Sequence, residues 1–366
     1  MNVRIPDAVI GGGGIIGLSL ALELASHGLQ VTVLERGVAM REASWAAAGM
    51  LAARDPENPP ELRALADFSL ALYPEFLARV AEWSGVAVPL RTQATLQAVP
   101  LQQASVAPGE VLRRVPDLRT GGRSFVLLDE QSLDPRELCA ALPVAVRAAG
   151  VALQEHTGVH AVRPDGEGVV VETDAGVRLR ASHFIHCCGA WSGELACQDP
   201  LPMDPVPVEP RKGQMLALDM PLQAPRLACV LRTPELYLVP RTPGAGQRIV
   251  VGASVEDAGF DRSVDSATTD ALLAAAAELW PPVLDGVIGE RWTGLRPCSP
   301  DRLPVIGRWP GRAETASLWV ATGHFRNGIL LAPGTARLIR QAMAGEAPAV
   351  DLAPFRRSRF APVPAA

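Results

Sequence analysis

Apolar and polar positions are most ordered near the start of the chain. An apolar run, Ala8 to Ile10, meets a cluster of glycines, and a segment from Ile15 to Ser26 follows with apolar residues at helical spacing. Gly28 leads into a second apolar run, Val31 to Leu34, which stops on Glu35. The pattern predicts strand, helix and strand, the opening of a βαβ unit.

Further on, Leu62, Leu65, Phe68, Leu72, Phe76 and Val80 share one face of a helix predicted over Pro60 to Trp83. Short β-rich runs, Ala94 to Val99 and Phe125 to Asp129, flank a helical patch near Glu110 to Val115. Asp134-Pro135 caps a helix from Arg136 to Ala149. Strands then alternate with turns at Asp165-Gly166 and Asp174-Ala175-Gly176, and the last of them runs from His183 to Cys188. Adjacent strand residues point to opposite faces, so Cys187 and Cys188 read as small apolar residues and not as a redox pair.

Prolines at 200, 202, 205, 207 and 210 mark the passage into another domain. A β-rich block follows, with a helix over Ser266 to Leu279; within it Glu235, Tyr237 and Val239 alternate with Leu236 and Leu238, which places the first three on one strand face. The closing third holds a strand, a turn from Gly323 to Gly328, and a helix from Ile329 onward, before a proline-rich tail expected on the surface. No internal repeat is visible.

The glycine cluster carries chemistry. Gly12, Gly14 and Gly17 have the G-x-G-x-x-G spacing, in which the first glycine makes the tight turn, the second lets a pyrophosphate approach the backbone and the third lets helix and strand pack closely. The helix start offers N–H groups and a favourable dipole to the anion. Glu35 follows about twenty residues on, where a carboxylate accepts hydrogen bonds from adenosine ribose hydroxyls and disfavours a 2′-phosphate. A dinucleotide is the expected ligand.

Composition narrows the rest. At 366 residues the chain exceeds a single core, so two interleaved domains are expected. A formal net charge of −5, with Lys212 the single lysine, gives no cationic field for nucleic acid. Six cysteines without C-x-x-C spacing suggest neither a disulfide framework nor a zinc site, and read as reduced thiols of a cytoplasmic protein. No segment reaches membrane-spanning length.

After Glu35-Arg36-Gly37 comes Arg41 to Ala53, REASWAAAGMLAA, in which Ser44 is placed to cap a helix and the alanines let backbone lie close against something flat. Together with the G-A-W-S turn at Gly189 to Ser192, the Y-x-V-P-R segment at Tyr237, the G-L-R-P segment at Arg296 and the H-F-R-N-G loop at His324, this stretch resembles the FAD-dependent D-amino-acid oxidase family, and within it the glycine oxidases of thiamine biosynthesis. The resemblance runs over nearly the whole length. It implies an α/β fold: a Rossmann-type FAD-binding domain (1–88, 135–203 and 293–366) with an interleaved α+β substrate domain (89–134 and 204–292) built on an antiparallel sheet.

On that resemblance the FAD lies along Gly12, Gly14, Ile15, Ile16, Gly17, Glu35, Arg36, Ala43, Ser44, Ala48, Gly49 and Met50, with Val159 by the adenine. Gly189 and Trp191 return to it, as do His324, Phe325, Arg326, Asn327, Gly328, Ile329 and Leu330 around the second helix start. Arg296 is implied as the anchor of a substrate carboxylate, since a guanidinium pairs with it through two parallel hydrogen bonds; Tyr237 adds its hydroxyl and Arg326 is the second candidate. No general base is assigned, and no metal. Sarcosine oxidases of the family tether flavin through a cysteine ahead of a proline-aspartate pair; Cys298 stands too close to Pro300-Asp301 for that position, so non-covalent FAD is expected.

The implied reaction is oxidation of glycine, sarcosine or small D-amino acids to the imine, with oxygen as acceptor, hydrogen peroxide and ammonia as products and thiazole synthesis as destination. A homo-oligomer is expected from the family. The alternatives are a D-amino-acid dehydrogenase or other amine oxidase using another acceptor, a nucleic-acid-modifying flavoprotein, which the acidic balance disfavours, and a flavin-binding protein without turnover. Glu235 is not matched here to a ligand of the family and is carried as a residue that faces the pocket and favours the substrate amine, secondary amines included.

Overall fold

The computed structural model describes residues 5–100, 106–166, 168–197, 205–241, 246–309 and 317–360. Four sheets organise them. A six-stranded sheet has the order Val305–Arg308, Leu318–Thr322, His183–His186, Ala8–Gly11, Val31–Leu34, Ala152–Gln154. Its strands are parallel except for the antiparallel edge pair Val305–Arg308 and Leu318–Thr322. Parallel strands covered on both faces need continuous apolar runs, and the first strand shows how they are used. Ala8 and Ile10 enter the core beneath the helices, whereas Val9 enters a second core under a four-stranded sheet that holds Val169, Val171 and Ala181.

The helices Ile15–Ser26, Arg63–Ser84, Pro135–Ala148 and Gly328–Met343 cover the first face and pack on one another. Sequence spacing predicts their extents to within a few residues, although Pro60–Leu62 is a separate 3₁₀ turn and Gly85, at φ 72°, stops the helix Arg63–Ser84. The face of that helix is less apolar than the pattern suggests: Ser69 and Tyr73 are buried beside Leu65, Phe76 and Val80. Both serve the helix Gly328–Met343, whose interior contains Pro333. Proline has no N–H to give the carbonyl of Ile329, so the Tyr73 hydroxyl donates to that carbonyl instead. One residue on, the Ser69 hydroxyl donates to the Leu330 carbonyl at 2.7 Å and accepts from the Gly334 N–H at 2.9 Å, bridging the interrupted ladder.

A seven-stranded sheet takes the order Val287–Cys298, Glu209–Asp219, Arg248–Gly252, Tyr237–Pro240, Val230–Arg232, Thr95–Val99, Ser124–Leu128, antiparallel except between Val230–Arg232 and Thr95–Val99. Leu216, Leu218, Leu238 and Val251 put one face against the helix Ser266–Leu279. Met215, Val239, Val250 and Trp292 put the other against Ala46 and Ala48 of the alanine-rich stretch. Tyr237 and Val239 share that second face as the alternation predicts, but Glu235 lies in the bend before the strand begins. A three-stranded sheet, Met50–Leu51, Gln131–Leu133 and Leu90–Thr92, links the two larger ones.

The strand Val287–Cys298 runs unbroken across the expected boundary at 292/293. Pro205 and Pro207 lead into the strand Glu209–Asp219, Pro210 is its second residue, and Pro200 and Pro202 fall outside the described residues. The tail is not wholly superficial, because Leu352 and Phe355 enter the main core. The strand expected to reach Cys188 ends at His186; just beyond it Cys187 packs into the helix-side core and Cys188 against the opposite one. Among the described residues no helix is long and apolar enough to cross a membrane and no group of side chains has the make-up of a metal site, and Cys139, Cys187, Cys188, Cys229 and Cys298 are free.

Candidate cofactor and substrate site

The three glycines of the first turn divide their work. At Gly12, with φ +108°, an added Cβ would stand 2.3 Å from the carbonyl oxygen of Cys187; at Gly17 it would stand 2.0 Å from that of Gly12. These two let strands and helix close on one another. Gly14 meets only the Ser44 hydroxyl, at 3.4 Å, and opens onto a cavity. Ser44 does not cap its own helix, the single turn Ala43–Ala46. Its hydroxyl accepts instead from the N–H of Ile15 at 2.9 Å, ordering the start of the helix Ile15–Ser26.

Glu35 is buried at the end of the second strand, where one carboxylate oxygen accepts from the Gly13 N–H at 2.7 Å and the other from the Gly37 N–H at 2.8 Å. Each oxygen keeps a further lone pair for a ribose hydroxyl. Beside it the Arg36 guanidinium lies 3.4 Å over the Trp191 ring, and Phe260 of the substrate-side segment stacks on Trp191 at 5.5 Å. Glu42 stands between Arg36, at 3.7 Å, and Arg262, at 3.2 Å, tying the same segment to the cofactor side.

The cavity measures about 710 Å³, within the usual range for a bound organic ligand. Its wall takes in Gly12, Gly14, Ile15, Ile16, Glu35, Arg36, Ala43, Ser44, Ala48, Gly49 and Met50, together with Val159, Gly189, Trp191 and the loop from His324 to Ile329. Gly17 and Leu330 are the expected cofactor residues that stand behind the wall: Gly17 is a packing glycine, and Leu330 is buried in the main core.

At the second helix start His324 is buried, with Nε2 at 3.0 Å from the Thr335 hydroxyl and Nδ1 without a partner. Burial pushes its pKa down to about 3, so the imidazole is neutral. Asn327 donates to the Asn58 side chain at 2.9 Å. Arg326 reaches the cavity with its charge already matched: Nη1 is 2.6 Å from Glu57 and Nη2 3.0 Å from Asp55. It is therefore not free in the way a carboxylate anchor must be.

Arg296 is. Its guanidinium lies over Gly213 of the neighbouring strand, where an added Cβ would stand 2.2 Å from Nη1 and 2.4 Å from Nη2. Nη1 donates to the carbonyl oxygen of Ser254 at 3.0 Å and of Lys212 at 3.4 Å, and no carboxylate is paired with it among the described residues. The Tyr237 hydroxyl is hydrogen-bonded to Arg296, and burial raises the phenol pKa while lowering that of the guanidinium. A guanidinium remains charged under any such shift. Gly252 makes room for the phenol, since a Cβ there would stand 2.6 Å from its oxygen. These seating glycines, and the acidic partners of Arg326, carry no motif by which the sequence alone would show them.

An FAD fits these residues. The glycine turn with Glu35 suits the adenosine diphosphate end, and the small side chains of Ala47 and Ala48 on the cavity wall leave room for the ring system, while Gly49 closes on the Leu133 carbonyl. The second helix start, Gly328, suits the polar edge of the ring.

Comparison with known proteins agrees. Residues 7–342 match the family described as FAD dependent oxidoreductase. A glycine oxidase of Pseudomonas aeruginosa is 34% identical over 95% of this chain and 97% of its own length. The bifunctional protein ThiO/ThiG of Trichormus variabilis is also 34% identical over 97% of this chain, which spans 55% of that longer protein. The crystal structure of glycine oxidase from Geobacillus kaustophilus superposes with a TM-score of 0.88 at 29% identity, covering 98% of this chain and 100% of that one. A turn that holds Glu35 against Gly13, two helix starts on one cavity and a match over almost the full length lead to one conclusion: this chain belongs to the FAD dependent oxidoreductase family.

Proposed function

We propose that the protein oxidises glycine, with sarcosine and small D-amino acids as further substrates. The observation that carries this reading is Arg296: a guanidinium in the cavity wall, seated on Gly213, bonded to Tyr237 and without a carboxylate of its own. Such a group is stabilised by a carboxylate brought in by the ligand. The glycine oxidases among the relatives supply the matching substrate.

Arg296 grips the substrate carboxylate through two parallel hydrogen bonds, and the Tyr237 hydroxyl adds a third donor. Two fixed donors on the carboxylate hold the rest of a small amino acid in one orientation, which supplies the positional part of catalysis. Bound FAD would supply the redox chemistry, taking a hydride from Cα and passing two electrons to oxygen, so that glycine, oxygen and water yield glyoxylate, ammonia and hydrogen peroxide. His324, neutral and bonded to Thr335, keeps its loop in shape and has no proton to give at working pH. Arg326, held by Asp55 and Glu57, ties the loop before Asn58 to the second helix start.

We place the reaction in the cytoplasm, with the product used for thiazole formation in thiamine synthesis, and the protein as a homo-oligomer with non-covalent FAD. Anaerobic addition of glycine should bleach the yellow protein, and air should restore the colour with peroxide formed. A yellow protein that neither glycine, sarcosine, D-alanine nor D-proline bleaches would overturn the assignment. Acid precipitation should release the flavin into the supernatant.

A further inference from the structure

We propose that Glu235 makes the substrate chamber select by charge, admitting α-substituents that are neutral or cationic and rejecting a second anionic group. The inference rests on the amino-acid oxidase reading and concerns the same site.

Glu235 borders the cavity in the bend before the strand Tyr237–Pro240, two residues ahead of the phenol that touches Arg296. Its carboxylate is exposed and has no cation paired with it among the described residues; its one side-chain contact is the Thr233 hydroxyl at 2.8 Å. That hydroxyl also accepts from the N–H groups of Glu235 and Leu236, each at 3.2 Å. The bend is thereby tied, and the negative charge is held at the wall and not swept freely through solvent.

The neighbouring charges leave it uncompensated. Arg326 is taken by Asp55 and Glu57, and Arg232 by Glu130 at 3.0 Å with Asp55 at 3.7 Å. The two guanidiniums are thus matched by Asp55 and Glu57 on the wall and by Glu130 buried behind it, before Glu235 is added. Arg302 also borders the cavity, but from the loop beside Cys298. The cation that has no acid partner next to Tyr237 is Arg296, and the first carboxylate of any substrate occupies it. A second anion on the same ligand would lose hydration in a chamber that sets Glu235 two residues from Tyr237, with the exposed Arg302, in the loop after Cys298, as its remaining cation without an ion pair among the described residues. Discrimination by an uncompensated like charge needs no contact with the preferred substrate.

The test uses the FAD-loaded protein and follows perturbation of its visible band on titration with acetate and with malonate, the smallest pair that differs by one carboxylate. The wild type should bind acetate at least about tenfold more tightly than malonate, the size of one modest like-charge contact. Glu235→Gln should narrow the ratio several-fold, and Glu235→Lys should reverse it. Because the residue stands exposed in a bend, both variants are expected to fold. A ratio that does not move in either variant overturns the charge filter, whether or not glycine bleaches the enzyme. A ratio that moves in a protein that glycine does not bleach supports the filter and removes the glycine reading alone.

Discussion

A substitution at Gly213 separates anchoring from folding at the scale of one residue. Gly213→Ala puts a methyl group where the Arg296 guanidinium now lies, within 2.2 Å of Nη1, and the flexible arginine head gives way before the sheet does. The variant should retain FAD, with its visible spectrum intact, while the KM for glycine rises at least about tenfold as one charge-assisted contact is weakened. An unchanged KM would show that the seat is not needed. Sequence made Arg296 and Tyr237 legible because each stands in a segment with family resemblance. Gly213 and Gly252 were silent, since a glycine that clears space for a side chain across a strand has no local pattern. Arg326 was legible as a residue but its partners were not: its acids, Asp55 and Glu57, lie far from it in sequence, and pairing at that range is invisible without the fold.

Elements were more legible than their faces. The helix Ile15–Ser26 and the strand Val31–Leu34 fall where periodicity puts them, because local hydrophobic spacing is enough to specify both. The helix Gly328–Met343 shows what spacing leaves out. It carries Pro333 in its interior and stays helical because Tyr73 and Ser69, on the helix Arg63–Ser84, bond the two carbonyls left without their regular partners. Removing the phenol oxygen with Tyr73→Phe leaves the Ile329 carbonyl buried and unpaired, at a cost of about 1–3 kcal/mol. The denaturant midpoint should fall accordingly. The flavin should also dissociate more readily, because Ile329 and Gly328 form the helix start that borders the cavity. A Tyr73→Phe protein as stable as the wild type would mean that water or a shifted backbone satisfies this carbonyl.

For the molecule as a whole, two buried imidazoles set an acid limit. His186, in the six-stranded sheet, bonds the Ser192 carbonyl through Nε2, and burial pushes its pKa down to about 4; His324 at the cavity is pushed to about 3 by the same cause. Neither sits beside a carboxylate that would hold a proton on the ring. Unfolding returns both to the ordinary value of about 6.5, so between that pH and about 4 the unfolded chain binds protons that the folded chain refuses. Stability is therefore complete above about pH 6.5 and falls as pH drops below it, by roughly 1.4 kcal/mol per pH unit for each histidine until its folded pKa is reached. Carboxylates that lose ion pairs add to the fall, so the histidine share must be isolated by difference. Urea midpoints at pH 7.5 and 5.0, taken with saturating FAD so that cofactor loss does not enter, should differ less in His324→Gln than in the wild type. Since the single ring partner of His324, Thr335, is reached through Nε2, a glutamine, whose amide extends to about that position, can keep the bond while giving up the titration. Equal pH slopes in the two proteins would place the buried charge cost elsewhere and remove the imidazoles as its source.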